Sequence, residues 1–261
     1  MPDDNSERVA HAQSAPANEL NALIHATDDE VLVALLQNPN AAELHITQLF
    51  ERLDLSVNVL TAIAEQAKWN CSESVRMGLA RHPRTPRRMA SAILRQLYVF
   101  DLVRLSLLPS ASPEIRRIAE ELLITRVPHL PVGQKLTLAR RGPARVVGAL
   151  ITEGHPQATK LALDNAFLTA SQILKVLANP GVPERVVAAI AKHPKWSVQY
   201  NIRVALIRNA LAPVPAVLGF ISNLTAHDLN DLSAQVDLTP RVRNYIEREL
   251  LRRSDQVQKL N

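Results

Sequence analysis

Asn or His followed by Pro closes one apolar helical pattern after another along this chain. The pairs are Asn38-Pro39, His82-Pro83, His155-Pro156, Asn179-Pro180 and His193-Pro194, with Leu108-Pro109 as a variant. A residue before proline is pushed out of the helical region, so each pair predicts a helix end. Starts are marked as well. Thr27-Asp28-Asp29-Glu30 has the form of a capping box. Thr85-Pro86, Ser112-Pro113 and Thr239-Pro240 put a hydroxyl before a first-turn proline. Thr169, Ser197 and Thr225 read as further caps. Stops this frequent leave only short helices of about 8–12 residues, which persist by stacking on neighbours.

Composition agrees. Hydrophobic residues make up 47% of 261, enough for a packed core, whereas aromatics are 3% and glycines only 7, which disfavours a β-sandwich or barrel. One cysteine, Cys71, excludes an internal disulfide and a thiolate zinc site. The N-terminal segment has no apolar core of a secretory signal, and no apolar run approaches the roughly 20 residues of a membrane span. The expectation is a cytoplasmic protein with no membrane partner. Residues 1–17 read as a flexible tail, 18–253 as one domain, and 254–261 as a second tail.

Laid in register, the phrases LLQNPNAAEL, LARHPRTPRRMA, LANPGVPERVVAAIA and IAKHPKWSVQY each run from helix end through a connector into a new helix. Asn165, Asn179, His193 and Asn209 stand 14, 14 and 16 residues apart, a helix pair about every 30 residues. This phrasing resembles bacterial HEAT-like repeats and the related leucine-rich-repeat variant, over residues 28–253. The resemblance implies an all-α, right-handed α-α superhelix of about 14–16 short helices. It also implies a concave face that binds protein or nucleic acid.

No chemistry-bearing motif stands out. His82 and His193 invite a metal or acid–base reading, but no second ligand follows at helical spacing and no acidic residue lies within five positions. The same slot also holds Asn38, Asn179 and Leu108, so the histidines read as helix-end punctuation. Phosphate-cradling glycine loops and a nucleophile elbow are absent. Some HEAT-like proteins are DNA glycosylases. Trp69 and Trp196, with Asp101 or Asp164, are the residues that such an activity would use here, as a distant third reading. The chain is expected not to be an enzyme and to need no cofactor or metal.

Charge is distributed unevenly. Residues 1–75 hold 3 basic and 12 acidic side chains, net −9, and residues 76–261 hold 27 and 13, net +14. Arg81, Arg84 and Arg88, then Arg140 and Arg141, then Lys195 recur near connectors, where stacked repeats would align them into a basic ridge. Trp196, Tyr200 and Arg203 combine the residue types that dominate binding hot spots. Together these nine are the candidate partner-binding residues. The favoured expectation is a scaffold or adaptor for a protein partner, and the alternative is nucleic-acid binding through the ridge.

Overall fold

A computed structural model describes residues 4–234 and 238–258. Among them the fold is all-α, with nineteen α-helices and one 3-10 turn. That exceeds the 14–16 expected. One of the extra helices, α1 (Asp4–Ser14), lies in the segment read as a tail. Its polar composition conceals how it is held. Ala12 and Ala15 are buried, and the buried Asn38 amide donates to both their carbonyls, at 2.9 and 3.0 Å. The C-terminal helix α19 (Pro240–Gln258) runs through the start of the second presumed tail, of which residues 259–261 lie outside the described residues.

The chain divides into two compact units, residues 1–123 and 124–261. In unit 1, α1 packs on α3 (Asp29–Gln37) and α3 on α5 (Val57–Glu65). A second row runs from α4 (Glu43–Leu49) through α7 (Glu73–Arg81) to α9 (Val99–Leu107). In unit 2, one row is α11 (Val132–Arg141), α13 (Pro156–Leu163) and α15 (Glu184–Lys192). The other is α12 (Ala144–Glu153), α14 (Ala170–Leu177) and α16 (Tyr200–Arg208), and α18 (Ala226–Ser233) follows on the way to α19.

These units are two copies of one plan, 127 residues apart. Shifted by 127 without a gap, 29 of the 123 positions from Asp4 to Arg126 carry the same residue, so the match is one of register and not of composition alone. Apart from the four-residue α6 (Ala67–Asn70), which falls on a turn at 194–197, the helices correspond in order: α5 and α7 shifted by 127 give the bounds of α15 and α16. Buried hydrogen bonds repeat too. Trp69 Nε1 donates to Leu36 O at 3.1 Å, and Trp196 Nε1 to Leu163 O at 2.8 Å. Asn165 mirrors Asn38, donating to Ala139 O and Gly142 O at 2.9 and 3.3 Å. We call residues 127 apart sister residues.

The slot at the helix ends has one chemistry, met equally by Asn and His. Its near acceptor takes the backbone N–H two residues on: Asn38 Oδ1 from Asn40 at 2.7 Å, His82 Nδ1 from Arg84 at 3.3 Å, His193 Nδ1 from Lys195 at 3.3 Å, Asn209 Oδ1 from Leu211 at 2.9 Å. A far donor then reaches the preceding helix layer. His82 Nε2 meets Arg52 O at 2.8 Å, and Asn209 Nδ2 meets Leu177 O at 3.0 Å. A neutral imidazole protonated at Nε2 supplies the same acceptor–donor pair as a carboxamide. The histidine at 82 therefore does the architectural work of an asparagine, whereas His193 shares the near acceptor but turns its Nε2 to the Asp164 side chain at 3.1 Å.

Candidate functional site

The nine expected residues divide by burial. Trp196 does not face a partner: it is 1% exposed, with its indole N–H bound to the backbone. Trp69 is 3% exposed and held likewise, so neither ring is presented for stacking on a base. Trp196 and Tyr200 do not share a helix: α16 begins at Tyr200, and Trp196 lies in the preceding turn. Lys195 is exposed, with Nζ 4.4 Å from the Trp196 ring centroid. Arg203 is half-buried and donates from Nε to Ser197 O at 2.8 Å, as its sister Arg76 donates to Asn70 O at 3.3 Å. Arg203 and Arg76 thus tie a turn to the following helix. Arg84 is exposed, with Nη1 bound to Asp54 O at 2.7 Å. Arg88, Arg140 and Arg141 are exposed at helix surfaces.

Two of the nine, Arg81 and Tyr200, line a groove that occurs once in each unit. In unit 1 it lies among α4, α7 and α9, with a volume of about 520 Å³. Glu73, Ser74, Met77, Arg81, Asp101 and Arg104 line it. In unit 2 it lies among α14, α16 and α18, about 350 Å³, lined at the sister positions by Tyr200, Asn201, Val204, Arg208, Asp228 and Asp231. Arg81/Arg208 and Asp101/Asp228 are the charged residues that both copies keep there. Each Arg ends a helix and each Asp lies in a first turn, where helix dipoles favour those charges. The dipole accounts for their signs but not for their meeting around one opening.

The two copies differ in electrostatics. Asp101 is 4% exposed and lies 3.6 Å from Arg104 Nη1. A hydrogen bond from the protonated Glu73 carboxyl to Asp101 and the repulsion between the two groups when both are charged raise Glu73 above its ordinary value. At its sister position the Tyr200 hydroxyl donates to Asp228 at 2.8 Å, and this bond raises the phenol pKa. Thr225 Oγ1 donates to Asp228 at 2.6 Å, and together with Tyr200 holds that carboxyl below its ordinary value. One copy therefore presents a carboxyl pair between two arginines, and the other a phenol–carboxylate pair beside one arginine.

Arg208, Glu73 and Asp228 were not among the expected site residues. The signal that finds them is the lag of 127, because it places each beside its counterpart. Among the described residues no cluster of three or more metal-ligating side chains occurs, and no helix is long and apolar enough to cross a membrane. No protein-family model, curated protein or solved structure matches the chain.

Proposed function

We propose that the protein is a non-enzymatic scaffold that binds a protein partner through the twice-written groove. The two helix rows of each unit are read as layers of a right-handed, HEAT-like superhelix, with the α4–α7–α9 and α14–α16–α18 rows facing the partner. The observation that carries this reading is the retention of Arg81/Arg208 and Asp101/Asp228 around the same opening, while nearly all other polar lining has changed. An arginine donor and a carboxylate acceptor side by side suit a polypeptide, whose backbone offers both a carbonyl and an N–H.

Photo-crosslinking residues introduced at Ser74 and at Asn201, exposed sister positions in the two grooves, test it. The expected result is one protein captured at both positions and lost when Arg81 and Arg208 are both replaced by Glu. Capture that ignores those replacements contradicts the reading.

Nucleic-acid binding is the second reading, and the charge of unit 2 favours it: residues 124–261 hold 18 basic and 9 acidic side chains, net +9. It predicts a salt-sensitive shift of duplex DNA or RNA that weakens when Arg140 and Arg141 become Glu. No binding at low salt rejects it.

A further inference from the structure

In unit 2 a second opening, of about 630 Å³, runs between α13 and α15. Two contacts pin the helices at its ends: Arg185 Nε donates to Gly154 O at 2.8 Å, and His193 Nε2 meets Asp164 Oδ1 at 3.1 Å. The pairing of helix start with start and helix end with end makes the two parallel. Between the pins the walls are apolar, with Leu163, Val186 and Ala189 on the floor. Helices of 8 and 9 residues make this channel roughly 12 Å long.

Three polar groups lack partners. Thr159 lines the opening and is 4% exposed, yet its hydroxyl makes no hydrogen bond among the described residues. Its oxygen is closed off from the opening as well, so the hydroxyl is a cost carried in this wall and the two ammonium groups are what the opening presents. Lys160 and Lys192, one from each helix, also line the opening, are exposed, and have no ion-pair partner among the described residues. Unit 1 has none of the three: the sister residues are Leu32, Val33 and Glu65. The hydroxyl and both ammonium groups therefore belong to unit 2 alone and are not needed for the shared helical plan.

We infer that this groove binds a small amphiphilic anion, an unbranched alkyl carboxylate of about ten carbons, a length matched to the channel's roughly 12 Å. The chain lies on Leu163, Val186 and Ala189. The carboxylate lies between Lys160 and Lys192, at the end of the channel that Lys192 closes. A mostly apolar pocket of this size with a few convergent polar groups is the usual form of a small-ligand site.

Calorimetric titration of the full chain with hexanoate, octanoate, decanoate and dodecanoate tests the inference, with decanol as the uncharged control. Affinity is expected to rise about fourfold per methylene and to level off near ten carbons. Decanol is expected to bind at least about tenfold more weakly than decanoate, because it lacks the charge-assisted bonds. The variant T159L/K160V/K192E takes its residues from unit 1. It is expected to keep the wild-type helix content and to bind decanoate at least about tenfold more weakly. K160M/K192M gives the same loss if the triple variant does not fold, and K160R/K192R retains binding. Three results would overturn the inference: no saturable binding at any chain length, equal affinity for decanol and decanoate, or decanoate affinity unchanged in the charge-removing variants.

Discussion

Unit 1 and unit 2 share one skeleton and differ in surface. Residues 1–123 hold 12 basic and 16 acidic side chains, net −4, against the net +9 of residues 124–261. Across that divergence the chain keeps Leu36/Leu163, Asn38/Asn165, Ile63/Ile190, Trp69/Trp196 and Leu79/Leu206, all buried. The difference separates what the fold needs from what each copy can vary. A buried indole N–H and a buried carboxamide must keep their partners, because an unpaired buried polar group costs about 1–3 kcal/mol. An exposed charge carries no such penalty, so Lys192 stands where unit 1 has Glu65.

The largest expected break in the comparison is at the two tryptophans. Trp69→Ala and Trp196→Ala each remove a large buried ring and a backbone hydrogen bond. Each should cost about 3–5 kcal/mol, measured by urea unfolding, with the two values alike. A cost at one position only would show that the copies are not built on the same anchor. Next come Asn38→Ala and Asn165→Ala. Asn165→Ala strands two carbonyl groups and one turn N–H, with about 2–3 kcal/mol expected; Asn38→Ala strands the Ala12 carbonyl and one turn N–H, because Ala15 O keeps Asn40 Nδ2 at 3.1 Å, and should cost somewhat less, about 1–3 kcal/mol.

A smaller effect distinguishes the copies. A Cβ on Gly78 would fall 2.1 Å from the Phe50 ring, too close to be accommodated. The sister pair is Leu177 and Ala205, a smaller side chain opposite a larger one. Gly78→Ala should therefore cost about 1–3 kcal/mol by overpacking, and the double variant F50L/G78A should recover most of it. Simple additivity of the two substitutions in thermal unfolding would contradict this packing account.

The smallest effects are those of pH, and they run in opposite directions. Arg252 and Arg253 hold Glu249 at about 2, well below the usual carboxyl range, and its sister is Leu122. A depressed pKa means that the folded state favours the charged form. Its contribution is present above the ordinary carboxyl pKa of about 4.3 and is lost as pH falls toward 2. Glu73 is raised by Asp101, so the folded state favours its protonated form, and that contribution is lost as pH rises through the raised value. Glu249→Leu should flatten the stability–pH curve below the ordinary carboxyl value, and Glu73→Gln should flatten it above that value. The same curve for both variants would reject the assignment.

Helix punctuation was legible in the sequence because its chemistry is local. The Thr169 hydroxyl accepts Gln172 N–H at 3.4 Å, Ser112 accepts Ile115 N–H at 3.2 Å, and Thr225 forms a capping box with Asp228. Other starts misled. Thr27 is not the cap of α3, whose first-turn N-cap is Asp28, and Thr85 Oγ1 donates to Leu79 O instead of capping α8 (Arg87–Gln96). The duplication was not read from the sequence, because its most similar phrases are not the corresponding ones. LARHP and IAKHP look most alike, yet they lie 111 residues apart, and the sisters of His82 and His193 are Asn209 and Gln66. Because Asn and His satisfy the same slot, the best-looking match is not the corresponding one. Lys68-Trp69 and Lys195-Trp196 give the lag of 127 directly. The groove partners were beyond reach for a different reason. Tyr200 meets Asp228 across 28 residues, and His193 meets Asp164 across 29, through helix stacking that no local pattern encodes.

The most direct test of the duplicated plan is hydrogen exchange at the two indole N–H groups, followed by NMR in the intact chain and assigned with Trp69→Phe and Trp196→Phe. Both donors are buried and bound to a backbone carbonyl 33 residues earlier. The plan predicts that both exchange at least about a hundredfold more slowly than a free indole, because each must await the opening of its own core. Exchange of either one at the free rate would contradict it.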